Sequence, residues 1–236
     1  MLRRPGGWLV LLGTATILLL LPRIAARALD SGAPLAVELT ISTVGLHLSL
    51  LGATFGAVIA PRSAELGLPP EFAATPLRPL EFAFGRLAGA AATLAVHAAL
   101  LLVVGLLALA TVPPATLLAI AVGVVLTLLQ GVLALAVTAA LAALTSPVVG
   151  LILGLVYVAT SRALVPATLT TGSALAWFLP DLARLDVARA LAFAQPIGSG
   201  PLVLAVASAL LQITALTLLS GWAARRAAVD LGVDAA

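Results

Sequence analysis

Apolar and polar residues in this chain fall into long blocks instead of alternating. Six apolar blocks rich in Leu, Ala, Val and Ile run over about 7–29, 36–60, 86–110, 115–143, 147–168 and 200–224. Each reaches the roughly 20 residues that a helix rising about 1.5 Å per residue needs to cross hydrocarbon. Inside a bilayer every backbone N–H and C=O must be satisfied within the segment, and these blocks lack the two-residue alternation of barrel strands. The pattern therefore predicts an all-α, polytopic membrane protein. It is a bundle of about six transmembrane helices forming one domain over 1–236.

The polar positions between the blocks set the connections. Thr111-Val112-Pro113-Pro114 and Thr145-Ser146-Pro147 are tight, each placing proline where the first turn of the next helix accepts it. Two connections are longer, Pro61 to Gly85 and Leu169 to Gly200. The second carries Trp177, Phe178, Pro180, Asp181, Arg184, Asp186, Arg189 and Phe193, mixing an aromatic, apolar face with alternating charges. That mixture predicts an interfacial helical hairpin before the last span, acting either as an outer gate or as a membrane-surface anchor.

Composition strengthens the picture. The 236 residues are 62% hydrophobic and 9% charged, with a mean hydropathy of +1.23. Soluble domains are about 45–50% apolar. All 12 basic residues are arginine, against nine acids, so the high pI reflects missing lysine and a nucleic-acid partner is not expected. Cysteine is absent, which removes disulfides, thiolate metal sites and cysteine nucleophiles. The first block could pass for a secretory signal, but Pro22, Arg23 and Arg27 stand where a small-residue cleavage site belongs, so a retained helix is expected. With both termini cytoplasmic, Arg3, Arg4, Arg62, Arg78, Arg86, Arg225 and Arg226 lie inside, and Arg23, Arg27, Arg162, Arg184 and Arg189 lie outside. This orientation follows the positive-inside bias for a multi-pass protein of the cytoplasmic (inner) membrane.

The stretch from Pro61 to Arg86 is charged and amphipathic. From its residues alone it reads equally well as a docking surface or as an interfacial loop whose arginines meet anionic headgroups. As a docking surface it would use Glu71 and Arg78 for orienting ion pairs and Phe72, Leu77 and Leu80 as apolar anchors. Glu65, Gly67, Pro76, Glu81, Gly85 and Arg86 fall in an order that resembles the permeases of ABC type-2 exporters. In those proteins an acidic residue, a glycine, a short helix, a proline and a basic residue link the second and third spans. Phe178-Leu179-Pro180-Asp181 with Leu185-Asp186-Val187 is similar to that family's outer loop, and Arg225-Arg226 closes the last span as expected. The chain departs from the pattern at Leu68-Pro69-Pro70, where a threonine is usual, and at Arg78, which stands one place before the usual basic position.

The resemblance implies a cytoplasmic coupling helix seated on a separate ATP-binding cassette ATPase, with a second permease subunit completing the pore. It also implies export of a substrate by alternating access. The coupling residues would be Glu65, Gly67, Glu71, Phe72, Pro76, Arg78, Glu81 and Arg86. ATP and Mg are expected on the partner subunit and no cofactor in this chain. The residues agree on one point: a phosphate-cradling P-loop needs lysine, which is absent.

Polar residues within spans are candidates for function because hydrocarbon penalises them. His47 and His97 fall near mid-span and could face one cavity as substrate or haem ligands or as proton carriers. The sequence favours packing roles for both, since neither sits in a cluster of ligands, and no metal site is expected. Gln130, Gln212 and scattered threonines read as interhelical hydrogen-bonding groups, Gln130 also as a candidate polar residue of a translocation path with the two histidines, and Gly150 with Gly154 as a small-residue packing pair. Glu38 and Arg162 would share the outer interface. Two other readings stay open. One is a haem-exporter-type permease of cytochrome maturation, similar in length and span number. The other is a non-transport scaffold or intramembrane enzyme, although no paired Asp, Ser with base or His-Glu-x-x-His is present.

Overall fold

The computed structural model describes residues 12–17, 19–20, 32–60, 79–108, 114–171, 185, 188–193, 195 and 199–230. Its elements are α1 (Gly32–Ile59), α2 (Pro79–Ala108), α3 (Pro114–Leu144), α4 (Pro147–Thr171), α5 (Ala188–Ala192) and α6 (Ser199–Asp230). Among the described residues there is no strand. Four helices are long and apolar enough to cross a membrane: Pro34–Ile59, Ala83–Leu107, Leu117–Leu144 and Leu202–Ala223. They correspond to the second, third, fourth and sixth apolar blocks. The fifth block is the helix α4, apolar over Pro147–Thr160. Of the first block, 12–17 and 19–20 are helical and the rest lies outside the described residues.

Two boundaries differ from the sequence expectation. Helix α2 begins at Pro79, so Glu81 belongs to its first turn, where proline's fixed φ and an acidic side chain both suit a helix N-terminus. Helix α6 continues past the apolar block to Asp230 and carries Arg225 and Arg226 in helix. The tight turn between α3 and α4 forms as predicted. The Thr145 hydroxyl donates to the Leu141 carbonyl (2.7 Å), and Ser146 caps α4 by accepting from the Val149 N–H (3.3 Å). Pro147 then occupies the first helical position.

Helix α3 is the centre of the bundle: 67% of its span is buried within the fold, against 17% for α6. Its closest neighbour is α1, and the contact runs backbone to backbone. A Cβ on Gly52 would collide with the Gly131 carbonyl, and one on Gly56 with the Leu135 carbonyl. One on Gly131 would stand 2.9 Å from the Leu48 carbonyl oxygen. The register rises together along both helices, Ile41 against Gly123 and Gly56 against Thr138, so α1 and α3 run parallel. On the other flank Gly150 and Gly154 of α4 press on Ala142 and Thr138, so the predicted small-residue pair packs against α3. Helix α2 runs antiparallel to α1, with Gly105 beside Thr40 and His97 beside His47. Two apolar cores result. One joins α1, α2, α3 and α5 through Val37, Ile41, Leu48, Leu94, Leu101 and Ile120. The other joins α3 to α6 through Leu126, Leu133, Val137, Ala205 and Ala209.

Substitution of Gly52 by leucine should therefore force α1 off α3 and destabilise the fold by at least the roughly 1–3 kcal/mol typical of overpacking. Gly85, with nothing within 4 Å of the place a methyl group would take, should accept alanine and gain up to about 1 kcal/mol from helix propensity. Size-exclusion profiles after graded heating in detergent would separate the two; equal melting of both variants would contradict this packing.

Candidate functional site

Helix register brings polar side chains to one level near the middle of the spans. His47 on α1 and His97 on α2 are each only 5% exposed, and their ring centres lie 5.9 Å apart with planes inclined by 32°. The two histidines thus face each other inside the bundle. Gln130, 2% exposed on α3, shares their level because the adjacent Gly131 packs on Leu48, next to His47.

Each imidazole is held through its Nδ1. His97 Nδ1 lies 2.9 Å from the Thr93 carbonyl oxygen one turn earlier. That carbonyl can only accept, so the neutral ring carries its proton on Nδ1 and a lone pair on Nε2. His47 Nδ1 lies 2.7 Å from the Thr14 hydroxyl, which comes from the first apolar block. His47 Nε2 is buried with no hydrogen-bond partner among the described residues. Nitrogen in this state is costly in a dry interior unless something else meets it.

The expected interhelical role of the threonines is corrected. Thr40, Thr54, Thr93, Thr214 and Thr217 each donate to the carbonyl four residues earlier in their own helix. Thr127 bonds three residues back. A hydroxyl satisfied by its own turn leaves no donor for a neighbouring helix. Thr14 differs, its hydroxyl lying against a histidine of another helix. Its signal in the sequence was visible, a hydroxyl in the middle of an apolar block, but the partner 33 residues away was not. Ser49 Oγ, Thr138 Oγ1 and Gln212 Oε1 are buried without a partner among the described residues.

A second polar location lies at one end of the bundle. Arg86, early in α2, lines a cavity of about 20 Å³ together with Ile59 at the end of α1, Ala139 of α3, and Thr217 and Ser220 late in α6. The volume admits a single water molecule. Glu81 lies exposed one turn nearer the start of α2. Arg86 is partly buried where residues of four helices line the same cavity. Helix α5 and the preceding Leu185 are packed into the bundle, α5 against α1 and α3: Leu185 is 1% and Ala188 2% exposed.

Glu65, Gly67, Glu71, Phe72, Pro76 and Arg78 lie outside the described residues, as do Trp177, Phe178, Pro180, Asp181 and Asp186. The Arg162 side chain, expected at the outer interface with Glu38, lies outside them too.

If Thr14 holds His47, Thr14→Val and His47→Phe should not be additive in a double-mutant cycle of detergent unfolding. The expected coupling is about 0.6 kcal/mol, with a ceiling near 1.7 for hydrogen bonds between membrane helices. A coupling of zero would remove the first block from this site.

No protein-family model matches the chain, and no curated protein matches it. Its function is accordingly read from its own residues and their geometry.

Proposed function

We propose that this chain is the membrane-spanning permease subunit of an ATP-binding cassette exporter, with about six spans and both termini in the cytoplasm. A separate ATPase drives it through the segment 61–86. The observation that carries the reading is Arg86. It ends the charged stretch whose residues resemble a coupling segment, and it is built into the junction where α1, α2, α3 and α6 meet. A push on 61–78 is delivered directly to that junction, because α1 leads into the segment and α2 leads out of it.

In this mechanism nucleotide-driven closure of the ATPase moves the coupling helix between Glu65 and Arg86. Helices α1 and α2 follow and reshape a central path between inward- and outward-open states. The rigid glycine contact of α1 on α3 makes the two parallel helices move as one body. A second permease subunit, identical or homologous, completes the pore. The buried start of α5, packed on α1 and α3, supports an outer gate in the 169–199 connection. The absence of lysine leaves nucleotide chemistry to the partner.

The adjacent histidines favour one alternative within transport, a haem-exporter-type permease. Its mark would be a haem absorption spectrum of the purified protein that disappears when either His47 or His97 is replaced.

The permease reading is tested by affinity purification of the tagged chain from detergent-solubilised native membranes, with mass spectrometry of what accompanies it. A P-loop ATPase should accompany the wild type and be lost from Glu71→Arg combined with Arg78→Glu. Absence of any such ATPase from both preparations would leave the chain a scaffold or an enzyme.

A further inference from the structure

We propose that His47 and His97 form a two-imidazole site for a soft monovalent metal ion, copper(I) by its chemistry. The site stands on the side chains alone and holds whether or not the chain is a permease. Its two rings come from antiparallel helices and meet at 5.9 Å. Two metal–nitrogen bonds of about 2.0 Å laid end to end, with each ring centre just behind its nitrogen, need centres about 6 Å apart.

Both rings are already oriented as metal-binding imidazoles usually are. The second ring nitrogen of such a histidine is held by a carbonyl or another oxygen, which fixes the ring and leaves the first nitrogen for the ion. Here Nδ1 of His97 is bound to the Thr93 carbonyl and Nδ1 of His47 to the Thr14 hydroxyl. What remains is Nε2 on each ring, and His47 Nε2 is buried with no partner among the described residues.

The number and charge of the donors select the ion. Among the described residues no group of three His, Cys, Asp or Glu exists, so the four-ligand sphere of structural zinc is not provided. Glu38 and Glu81 sit near the starts of their helices, far from mid-span. Two neutral nitrogens satisfy a d10 monovalent ion in linear coordination, and imidazole is an accepted ligand for copper. The cost of burying an ion rises with the square of its charge, so a dry site lacking carboxylates favours a single positive charge over a double one.

The test uses the purified full-length protein in detergent, titrated anaerobically with copper(I) against a chromogenic copper(I) chelator. The wild type should bind one ion per chain. His47→Gln and His97→Gln should each weaken binding at least about tenfold, while His47→Met, which supplies a soft thioether, should restore it. X-ray absorption of the loaded wild type should show two nitrogen neighbours, a readout that needs no variant to fold. Copper binding unchanged in both Gln variants would overturn the assignment, as would tighter binding of zinc(II) than of copper(I). So would haem binding that the same substitutions abolish.

Discussion

Between two helices in hydrocarbon there is no water to expel, so attraction depends on how closely atoms can approach. The contact of α1 with α3 is the point where this constraint is met most fully. Gly52, Gly56 and Gly131 remove the side chains that would hold the two backbones apart, and carbonyl groups of one helix lie where a Cβ of the other would stand. Everything else is arranged around that seam. Helix α4 closes on the opposite flank with its own pair of glycines, so that Thr138 is gripped between Gly56 and Gly154. Helices α2 and α6 then cover what is left with larger side chains.

Such a seam decides where polar groups can survive. Backbone approach this close fixes the register of α1 against α3 residue by residue, and with it the level at which His47 stands. Most hydroxyls near it are neutralised locally by the preceding turn of their own helix and ask nothing of their surroundings. Histidine has no such local solution for both nitrogens. Each ring uses Nδ1 for a single bond, and the Nε2 of His47 is left buried with no partner among the described residues.

Much of the architecture was legible in the sequence because it rests on block length alone. The four apolar spans and the Ser146-Pro147 start of α4 follow from local chemistry that needs no partner. The glycine pair on α4 was equally legible, whereas Gly52 and Gly56, with the same four-residue spacing, became meaningful only once Gly131 was found opposite. Mid-span depth could be counted for His47 and His97, and that they face one another depends on the antiparallel fit of α1 and α2, which no single segment encodes. The threonines misled because a hydroxyl inside an apolar run looks like an interhelical donor until its own carbonyl four residues back is considered. The early start of α2 was hidden by Glu81, whose charge reads as loop although Pro79 had already opened the helix.

The two-residue turn between α3 and α4 has a consequence for how the protein is made. Thr145 and Ser146 together reach at most about 7 Å, far too little to let one helix settle in the bilayer while its successor waits outside. The start of α4 is therefore tied directly to the end of the central helix. The Ser146 cap and the Gly150 and Gly154 contacts give this pair of helices an order of its own, independent of α1. When the chain is made, the contacts that join α3 to α4 are thus local in sequence, whereas the Gly131 face that receives α1 must be met across more than 70 residues.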